Sequence, residues 1–155
     1  MATTTELTHV DESGRASMVD VSHKPRIKRT ARATCTVMMQ PETVALIRAD
    51  SMKKGDVLAT ARIAGIMGGK RTADLIPLCH NIEIDQVLVD FDVHVDRIVI
   101  HTLAVCVDKT GIEMEALTAA SIAALTIWDM CKAVDKTMRV DGLVLVEKTK
   151  EAVPS

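Results

Sequence analysis

The stretch from Lys70 to His80 is the part of the chain whose residue types and spacing best fit chemistry. Two cations, Lys70 and Arg71, are followed by Asp74, by a proline and then by the pair Cys79-His80. A purely structural helix exit needs only a glycine or asparagine, a few solvated polar residues and the proline. The density of charge therefore predicts that this segment holds a polar, anionic ligand.

Two later segments carry a second set of reactive groups. Glu113 and Glu115 open a predicted helix, and Asp129 and Lys132 lie near its far end, three residues apart on one face. Glu113 has a structural explanation as the partner of Thr110 in a capping box, whereas Glu115 has none and is the better functional candidate. The alternative for Asp129 and Lys132 is an exposed ion pair that contributes little to stability.

The pair Lys53-Lys54 directly precedes a helix predicted to begin at Val57. The start of a helix carries partial positive charge, so a lysine there loses part of its preference for the charged form and suits proton transfer. The alternative is a solvated lysine pair, and the local sequence leaves both interpretations open.

The run Gly68-Gly69-Lys70-Arg71 resembles a phosphate-binding loop but is not a Walker motif. That motif requires a glycine where this chain has Ala64 and a serine or threonine where it has Arg71. The two glycines could instead end the helix. The cations after them remain candidates for contact with phosphate.

Cys79 and His80 could form a nucleophile and its base, because they are neighbours. Adjacent residues in an extended segment point to opposite sides, however, which argues against direct chemistry between them. We therefore interpret His80 alone as a hydrogen-bonding partner of the substrate.

The composition is that of one globular domain without overall affinity for nucleic acid. The chain has 155 residues, of which 48% are hydrophobic and 26% charged, and a net charge of −2. Any affinity for phosphate must therefore come from local clusters of Lys and Arg. Phe91 and Trp128 are the only aromatic residues. Single-stranded nucleic acids bind by stacking on aromatic side chains, so this class of function is disfavoured.

The four cysteines predict neither a zinc site nor disulfides. They lack the short spacings of zinc ligands, and a domain of this size does not need cross-links in order to fold. Cys35, Cys106 and Cys131 fall in apolar runs and are predicted to be buried hydrophobes. The first residues have no basic or apolar leader, and no later run reaches the length of a membrane span, which predicts a cytoplasmic protein without a membrane partner.

Hydrophobic periodicity predicts an α+β fold, a ferredoxin-like sandwich in which helices pack on one face of an antiparallel sheet. The predicted elements are a strand at 29–38, helices at 41–47 and 57–67, a hairpin from 82 with its turn near 96–97, a helix from 110 to about 135, and a strand at 140–146. The alternation slips at Gln86 and again near His101 and Thr102, which predicts a bulge in each hairpin strand. We expect a single domain spanning 1–155, with flexible ends at about 1–18 and 149–155.

Taken together, these segments resemble the molybdenum cofactor biosynthesis protein C family, the cyclic pyranopterin monophosphate synthases. The resemblance runs from Leu7-Thr8-His9-Val10 to about Val146. Its most specific parts are the segments 18–22, 54–57, 61–66, 70–80 and 113–132. Two departures lie near the predicted site: Asn81-Ile82 stands where the family usually has proline and an apolar residue, and Gly68-Gly69 where other members often carry alanines.

The resemblance implies a ferredoxin-like fold, a homohexamer built as a trimer of dimers, and active sites at the dimer interfaces. It also implies the reaction, in which 3′,8-cyclo-7,8-dihydro-GTP is rearranged to cyclic pyranopterin monophosphate with release of pyrophosphate. This is a lyase reaction on a small-molecule triphosphate. No resident cofactor or metal is expected, although Mg²⁺ can accompany the triphosphate or the pyrophosphate.

The resemblance also implies which residues do the work. The catalytic positions match Asp129, Lys54 and Lys132. The residues expected to bind the substrate are Leu78, Cys79, His80, Met114 and Glu115, together with Glu113 and, on the triphosphate, Lys70 and Arg29. Fixed cations suit a triphosphate, and a lysine, an aspartate and a histidine are suitable proton carriers.

One helix separates these two groups of residues. Glu115 and Asp129 are fourteen residues apart, which is about 20 Å along a helix that rises ~1.5 Å per residue. The reacting rings of one substrate cannot touch both. Two chains related by a two-fold axis would solve this, with Lys54, Asp129 and Lys132 coming from a different subunit than part of the set formed by Glu115 and residues 78–80.

Two other classes of function remain as alternatives. A ferredoxin-like sheet can be an RNA-binding module, although the expected aromatic residues are missing from its strands. A regulatory nucleotide-binding domain would explain the cations but not the pairing of Asp129 with Lys132. Pyrophosphate release from the cyclic GTP derivative distinguishes the enzyme from a sensor that only binds it, and RNA retention identifies the module.

Overall fold

A computed structural model describes Val10 and residues 13–153 of the chain. Its elements, in chain order, are β1 (Ile27–Met38), α1 (Pro41–Arg48), α2 (Val57–Gly69), α3 (Thr72–Leu75), β2 (Ile84–Val93), β3 (Arg97–Asp108), α4 (Glu113–Cys131) and β4 (Arg139–Glu151). Leu7, Thr8 and His9, where the family resemblance begins, lie outside the described residues. The expectations of a single domain and of flexible ends stay predictions.

The strands of the described part form one sheet in the order β2-β3-β1-β4, and each neighbouring pair is antiparallel. The two halves of the chain each contribute a strand, helical structure and a second strand, which is the ferredoxin-like arrangement. This confirms the predicted α+β fold. The short helix α3 was not predicted, because a four-residue helix does not produce a periodic pattern.

The core lies between one face of the sheet and the helices α2 and α4. Alternate residues of the central strand β1 point into it, namely Ala31, Ala33, Cys35 and Val37. Cys35, Cys106 and Cys131 are buried free thiols, as predicted. The small residues of α4 let this helix approach the sheet closely, so its two ends are fixed relative to the strands.

Two glycines let α2 pack tightly against α4. A Cβ atom on Gly65 would lie 2.9 Å from the carbonyl oxygen of Ala119, and one on Gly68 would lie 2.6 Å from the side chain of Ile122. The helix continues to Gly69, and the residue after it, Lys70, has a right-handed φ of −67°. These glycines serve helix packing, and the alternative in which they end the helix also holds, because α2 ends at Gly69, although without the left-handed residue that often follows a helix.

The β2–β3 hairpin contains one of the two predicted bulges. The register shifts between Ile84 and Gln86, which confirms the first bulge. The second prediction is wrong, because β3 pairs without interruption through His101 and Thr102. Thr102 is a polar residue on the buried face, where its hydroxyl donates to the carbonyl oxygens of Ala33 and Ala116. A buried polar residue whose hydroxyl is hydrogen-bonded thus interrupts the hydrophobic alternation without interrupting the strand.

The edge strand β4 carries two irregularities against β1. One lies between the pairs Thr34–Val144 and Thr36–Asp141, and the other between Arg32–Glu147 and Ala33–Leu145. In each case β4 has one residue more than β1. Gly142, at the first irregularity, has a φ of +64°, a conformation that glycine adopts without strain. The strand extends to Glu151, five residues beyond the predicted end.

Both ends of α4 differ from the prediction. Ile112 is the N-cap and makes no side-chain capping bond, so the predicted capping box of Thr110 and Glu113 is absent from the described residues. The carboxylate of Glu113 forms an ion pair with Lys148 of β4 instead. The helix ends at Cys131, because the chain turns there and Asp135 binds groups outside the helix.

By length and composition alone, α4 is long and apolar enough to cross a membrane, with a mean hydropathy of 1.2. The expectation that no segment reaches such a length was therefore too strict. In the structure, 56% of its most apolar window is buried against other elements, and core helices pass the same test of length and composition.

Candidate active site

The ends of α4 organise the candidate residues into two separate groups. We call Lys54, Asp129 and Lys132 the lysine–aspartate cluster, which lies at the C-terminal end of α4. At the N-terminal end is a cavity of about 560 Å³, which we call the basic cavity. The two groups are separated by the continuous helix from Glu113 to Cys131 that the sequence analysis assumed.

The lysine–aspartate cluster joins two segments distant in sequence. Lys132 Nζ lies 2.7 Å from one carboxylate oxygen of Asp129, and Lys54 Nζ lies 2.7 Å from the other. Lys54 also donates to the backbone carbonyl oxygen of Asp129, at 2.9 Å. The prediction that these three residues act together is consistent with this geometry, and Lys54 is not simply a solvated lysine.

Local structure fixes the position of Lys54. It lies in a turn closed by a hydrogen bond from the backbone N–H of Gly55 to the carbonyl oxygen of Met52, and Gly55 has a φ of +88°. Met52 is buried in the core and anchors the turn. Asp56 then caps α2 by accepting from the N–H of Ala59. Lys54 is thus held between two fixed points, and its ammonium reaches Asp129.

Hydrogen bonds from Lys132 and then Lys54 lower the pKa of Asp129 to about 2. The carboxylate therefore stays ionised at neutral pH and cannot itself donate a proton. Its side chain is 55% exposed, so solvent screens this pairing and it adds little to stability. What the cluster offers is two ammonium groups held next to each other beside an open surface.

The basic cavity combines most of the residues predicted to bind substrate. Its lining includes Arg29, Leu78, Cys79, His80, Glu113, Met114 and Glu115. Its volume falls in the range of cavities that hold nucleotide-sized ligands. One predicted residue is elsewhere: Lys70 lines a smaller groove of about 310 Å³, although Ile82 borders both spaces.

Four further cations line the cavity and were missed by the sequence analysis: Lys24, Lys109, Lys148 and Lys150. Lys150 lies opposite Arg29 in the β1–β4 pairing, and Lys148 is two residues before it on the same face. The i, i+2 spacing of these two lysines was the available signal. It was overlooked because the predicted strand stopped at Val146.

Arg29 has a structural role beside its place in the cavity wall. Only 8% of the residue is exposed, and the guanidinium donates to the carbonyl oxygens of Asp108 and Lys109, at 3.0 and 2.8 Å. Arg29 therefore fixes the end of β3 and the loop that leads to α4. Part of its donor capacity is already used before any anion arrives.

His80 ties the N-terminal segment to the cavity. Its Nε2 lies 2.8 Å from the carbonyl oxygen of Val19, and because a carbonyl oxygen only accepts, Nε2 is the donor in this hydrogen bond. Lys109 makes a similar link by donating to the carbonyl oxygen of Ser22. The segment around Val19 and Val21 thus forms one wall of the cavity.

Cys79 is not an activated nucleophile. Burial raises the pKa of its thiol, and the charges of Glu115 and Glu113 raise it further. A thiol is reactive only as thiolate, which neighbouring carboxylates disfavour. The expectation that Cys79 and His80 do not form a catalytic pair is consistent with this environment.

Glu115 is the one buried side chain of the described residues whose oxygen has no hydrogen-bond partner. The residue is 3% exposed, and its Oε2 is the unpartnered atom. Burial, with a contribution from the charge of Glu113, raises the pKa of Glu115 to about 7. An unsatisfied carboxyl group in the wall of a cavity is expected to bind a ligand that supplies N–H or O–H donors.

Glu113 differs from Glu115 although it is only two residues away. Burial acts to raise its pKa, but the ion pair with Lys148 outweighs burial, so the pKa of Glu113 is lowered. The cavity therefore contains one ionised and one readily protonated carboxyl group. Among the described residues, no group of three or more His, Cys, Asp or Glu side chains is arranged to hold a metal ion.

Comparisons with known proteins give one consistent result. A model described as the MoaC family matches residues 18–151. A protein from Peptoclostridium acidaminophilum is 55% identical over 144 residues, which cover 93% of this chain and 92% of that protein, and is named cyclic pyranopterin monophosphate synthase. One from Chloroflexus aggregans, with the same name, is 54% identical over 92% of this chain and 88% of its own. A Chlorobaculum tepidum protein named molybdenum cofactor biosynthesis bifunctional protein is 49% identical, and the match covers 46% of it.

Proposed function

Because the chain belongs to the MoaC family, we propose that it is a cyclic pyranopterin monophosphate synthase of molybdenum cofactor biosynthesis. The proposed reaction is the conversion of 3′,8-cyclo-7,8-dihydro-GTP to cyclic pyranopterin monophosphate with release of pyrophosphate. Since a phosphorus–oxygen bond is broken without water being added across it, we assign the enzyme to the lyases.

The basic cavity is the observation that carries this proposal. Its lining combines five cations with the residues predicted to bind substrate, although the whole chain has a net charge of −2. Lysine and arginine side chains bind phosphate through charge-assisted hydrogen bonds, and several of them are needed for a triphosphate. We assign the triphosphate to Lys148, Lys150, Lys109 and the remaining donors of Arg29, and we keep Lys70, which lines the neighbouring groove, as a further candidate.

The ring system of the substrate fits the opposite part of the cavity wall. A guanine-derived pyrimidinone presents adjacent N–H donors, and the unpartnered Oε2 of Glu115 is an acceptor for them. A carboxyl group with a pKa of about 7 can also take up or release a proton near neutral pH. We propose that Glu115 and His80 hold the rings while the phosphates lie toward β4.

Proton transfer is assigned to the lysine–aspartate cluster. Asp129 stays ionised and orients the ammonium groups of Lys54 and Lys132, which are 2.7 Å from its two oxygens. When a negatively charged substrate draws one ammonium away from Asp129, the other ammonium still balances the charge of the carboxylate. This arrangement supplies a proton donor and a positive field where negative charge develops.

The distance between the two groups supports a site shared by two subunits. Glu115 and Asp129 lie fourteen residues apart on one uninterrupted helix, which is about 20 Å along its axis. We propose that the basic cavity of one subunit is completed by the lysine–aspartate cluster of another. A dimer with a two-fold axis would form two such sites at once.

The edge strand β4 supports assembly into the proposed homohexamer, a trimer of dimers. In the single chain its apolar side chains are 40–62% exposed, namely Val140, Leu143, Val144, Leu145 and Val146. Long apolar edge strands are normally covered, because unpaired strand edges associate with other chains. We further propose a cytoplasmic enzyme that needs no resident cofactor, has no nucleic-acid or membrane partner, and accepts Mg²⁺ only with its phosphates.

The decisive experiment is incubation of the protein with 3′,8-cyclo-7,8-dihydro-GTP. We expect cyclic pyranopterin monophosphate and pyrophosphate to form in equal amounts. Chromatography measures the first product, and a coupled assay measures the second. The Lys132→Ala variant serves as the inactive control, and Lys136→Ala, an exposed lysine in the turn after α4, as the active one. Binding without pyrophosphate release would identify a sensor, and indifference to the compound would reject both.

A further inference from the structure

Asp135 is a buried carboxylate close to the lysine–aspartate cluster, three residues after Lys132. Only 3% of the residue is exposed, and both of its oxygens are fully engaged. Oδ2 accepts from the backbone N–H of Gln40 at 2.8 Å and from the hydroxyl of Thr43 at 3.3 Å. Oδ1 accepts from the N–H and the hydroxyl of Thr137, both at 2.8 Å. A buried carboxylate with four donors is held in one geometry.

These bonds attach the start of α1 to the turn that follows α4. Gln40 is the N-cap of α1 and makes no side-chain capping bond within the described residues. The carboxylate of Asp135, from a distant part of the sequence, satisfies that end of the helix and places negative charge at its positive pole. The first turn of α1 therefore moves with the segment that carries Lys132.

The other end of α1 is connected to Lys54 by hydrogen-bonded turns. The N–H of Ser51 donates to the carbonyl oxygen of Leu46, and Asp50 has a φ of +49°, which is a helix-ending Schellman arrangement. The turn closed by Gly55 and Met52 follows directly and contains Lys54. No free segment separates α1 from Lys54, so the position of α1 determines where the ammonium lies.

We propose that Asp135 is a positioning residue that holds Lys54 against Asp129. The contacts form a closed ring: the turn after Lys132 leads to Asp135, Asp135 binds α1, α1 leads to Lys54, and Lys54 binds Asp129. Removal of the Asp135 carboxylate breaks four of the five side-chain hydrogen bonds that tie this turn together and to α1, and the bond from Gln40 Nε2 to the Thr137 hydroxyl, at 3.0 Å, remains. Lys54, Asp129 and Lys132 themselves are unchanged. The proposal rests on the proposed function only in assigning Lys54 to the reaction.

The competing explanation is that Asp135 merely caps α1 and stabilises the fold. The change Gln40→Asp distinguishes the two, because it supplies a capping carboxylate from the helix's own N-cap and also removes the Gln40 amide that donates to Thr137 in the turn after α4. If Asp135 is only a cap, adding Gln40→Asp to Asp135→Ala restores both stability and the placement of Lys54. If Asp135 joins two segments, the double variant regains stability, but Lys54 stays misplaced.

The first measurement does not depend on catalysis. Wild type, Asp135→Ala, and Asp135→Ala with Gln40→Asp are treated briefly with an amine-acylating reagent, and modification of Lys54 is quantified by peptide mass spectrometry. Lys53 is the internal control, since it is exposed and has no ion pair within residues 13–153. We expect modification of Lys54 to rise several-fold in both variants while that of Lys53 stays the same. Asp135→Asn, which keeps the shape of the side chain and one accepting oxygen, gives a second comparison without a cavity.

The second measurement is turnover of the cyclic GTP derivative by the same proteins. We expect kcat to fall by about tenfold or more with KM within about twofold of wild type, because misplaced proton donors slow the chemical step. Gln40→Asp should restore the melting temperature but neither kcat nor the protection of Lys54. Unchanged Lys54 labelling in Asp135→Ala overturns the proposal. Full recovery of both kcat and the protection of Lys54 by Gln40→Asp also overturns it. If the wild type forms no product, the proposed function fails, and the labelling result still decides the role of Asp135.

Discussion

The two ends of α4 contrast in how they hold their charges. At the N-terminal end, Glu115 is buried and lacks a partner for one oxygen, so its pKa is raised to about 7. At the C-terminal end, Asp129 is half exposed and doubly paired, so its pKa is lowered to about 2. The N-terminal end is a cavity with an unpartnered acceptor, and the C-terminal end is a pair of exposed ammonium groups. Each end supplies what the other lacks, which is why we join them across a subunit interface.

The largest effect is expected when a cation is removed from the lysine–aspartate cluster at the C-terminal end of α4. Lys54→Ala and Lys132→Ala should each reduce turnover by about a hundredfold to ten-thousandfold, the range for a lost proton-transfer group. Both side chains are about half exposed in the single chain, so the fold should be intact, and the assembly is checked by size-exclusion chromatography. Product formation is measured together with a thermal melt, and Lys53→Ala is the matched control. Near-normal activity in either variant would remove that lysine from the mechanism.

Mixing two inactive variants tests whether the two ends belong to different subunits. Lys132→Ala damages the cluster and His80→Ala damages the cavity, so a mixed dimer would contain one doubly damaged site and one intact site. After subunit exchange we expect about a quarter of wild-type activity, since half of the dimers are mixed and each has one working site. Mass spectrometry shows whether exchange has occurred. Exchange without recovered activity would place both residues in the same chain of each site.

Removing one lysine of the basic cavity tests whether its charge contributes to binding of the triphosphate. Lys148→Met should raise KM for the triphosphate by about tenfold, on the order of 1.4 kcal/mol, because one phosphate contact and the partner of Glu113 are lost. The kcat value should change much less, since the lysine–aspartate cluster is untouched. Arg32→Met is a matched control, because Arg32 is paired with Glu147 and does not line the cavity. Equal effects of the two changes would mean that only the overall charge matters.

The buried carboxyl group predicts a pH-dependent stability. Burial raises the pKa of Glu115 from 4.5 to about 7, so the folded protein keeps a proton that the unfolded chain releases. The resulting stabilisation is complete below pH 4.5 and is lost as the pH rises through about 7. Glu115→Gln should therefore raise the free energy of unfolding at about pH 8 by up to ~3 kcal/mol and change it little at about pH 4.

Urea unfolding at the two pH values measures this difference. Glu113→Gln is the control with the opposite sign, because the pKa of Glu113 is lowered by its ion pair with Lys148 and the ionised form is the stabilising one. A Glu115→Gln variant whose unfolding free energy shows the same pH dependence as wild type would mean that folding does not raise the pKa of Glu115. The contrast between the two ends of α4 would then disappear.

The smallest effect is expected at Cys79. Cys79→Ser should retain substantial activity, because burial and the neighbouring carboxylates keep the thiol neutral. Activity assays and a melt are sufficient to test this. A loss of more than about a hundredfold, which is about 2.7 kcal/mol of barrier, with a normal melt would mean that the thiol takes part in the reaction.

The sequence predicts the fold well where packing leaves a periodic signal. The alternation in β1 and β3 follows from one buried face, and the ferredoxin-like order follows from the sequence of strands and helices. The predicted association of Lys54, Asp129 and Lys132 came from family resemblance, because the contact of Lys54 with Asp129 spans 75 residues and leaves no local pattern.

What could not be predicted has identifiable physical causes. Thr102 disturbs the alternation although its hydroxyl is satisfied inside the core. Glu113 follows Thr110 with the spacing of a capping box, but a long-range ion pair with Lys148 is preferred over the local bond. The sequence pattern continues the helix to about Asp135, but the carboxylate of Asp135 binds the start of α1. Each error arose where a tertiary partner overrode a local preference.

The two bulges of β4 give this strand length to spare. Each adds one residue to β4 that has no partner on β1, while the pairs on either side are kept in place. Losing Val146, for example, would leave Glu147 opposite Arg32 and Leu145 opposite Ala33 in a regular ladder. Lys148 and Lys150 would still face the cavity, because their orientation depends on their partners in β1 and not on their distance along β4. The bulges thus keep Lys148 and Lys150 in position when residues are inserted or deleted at the exposed edge of the protein.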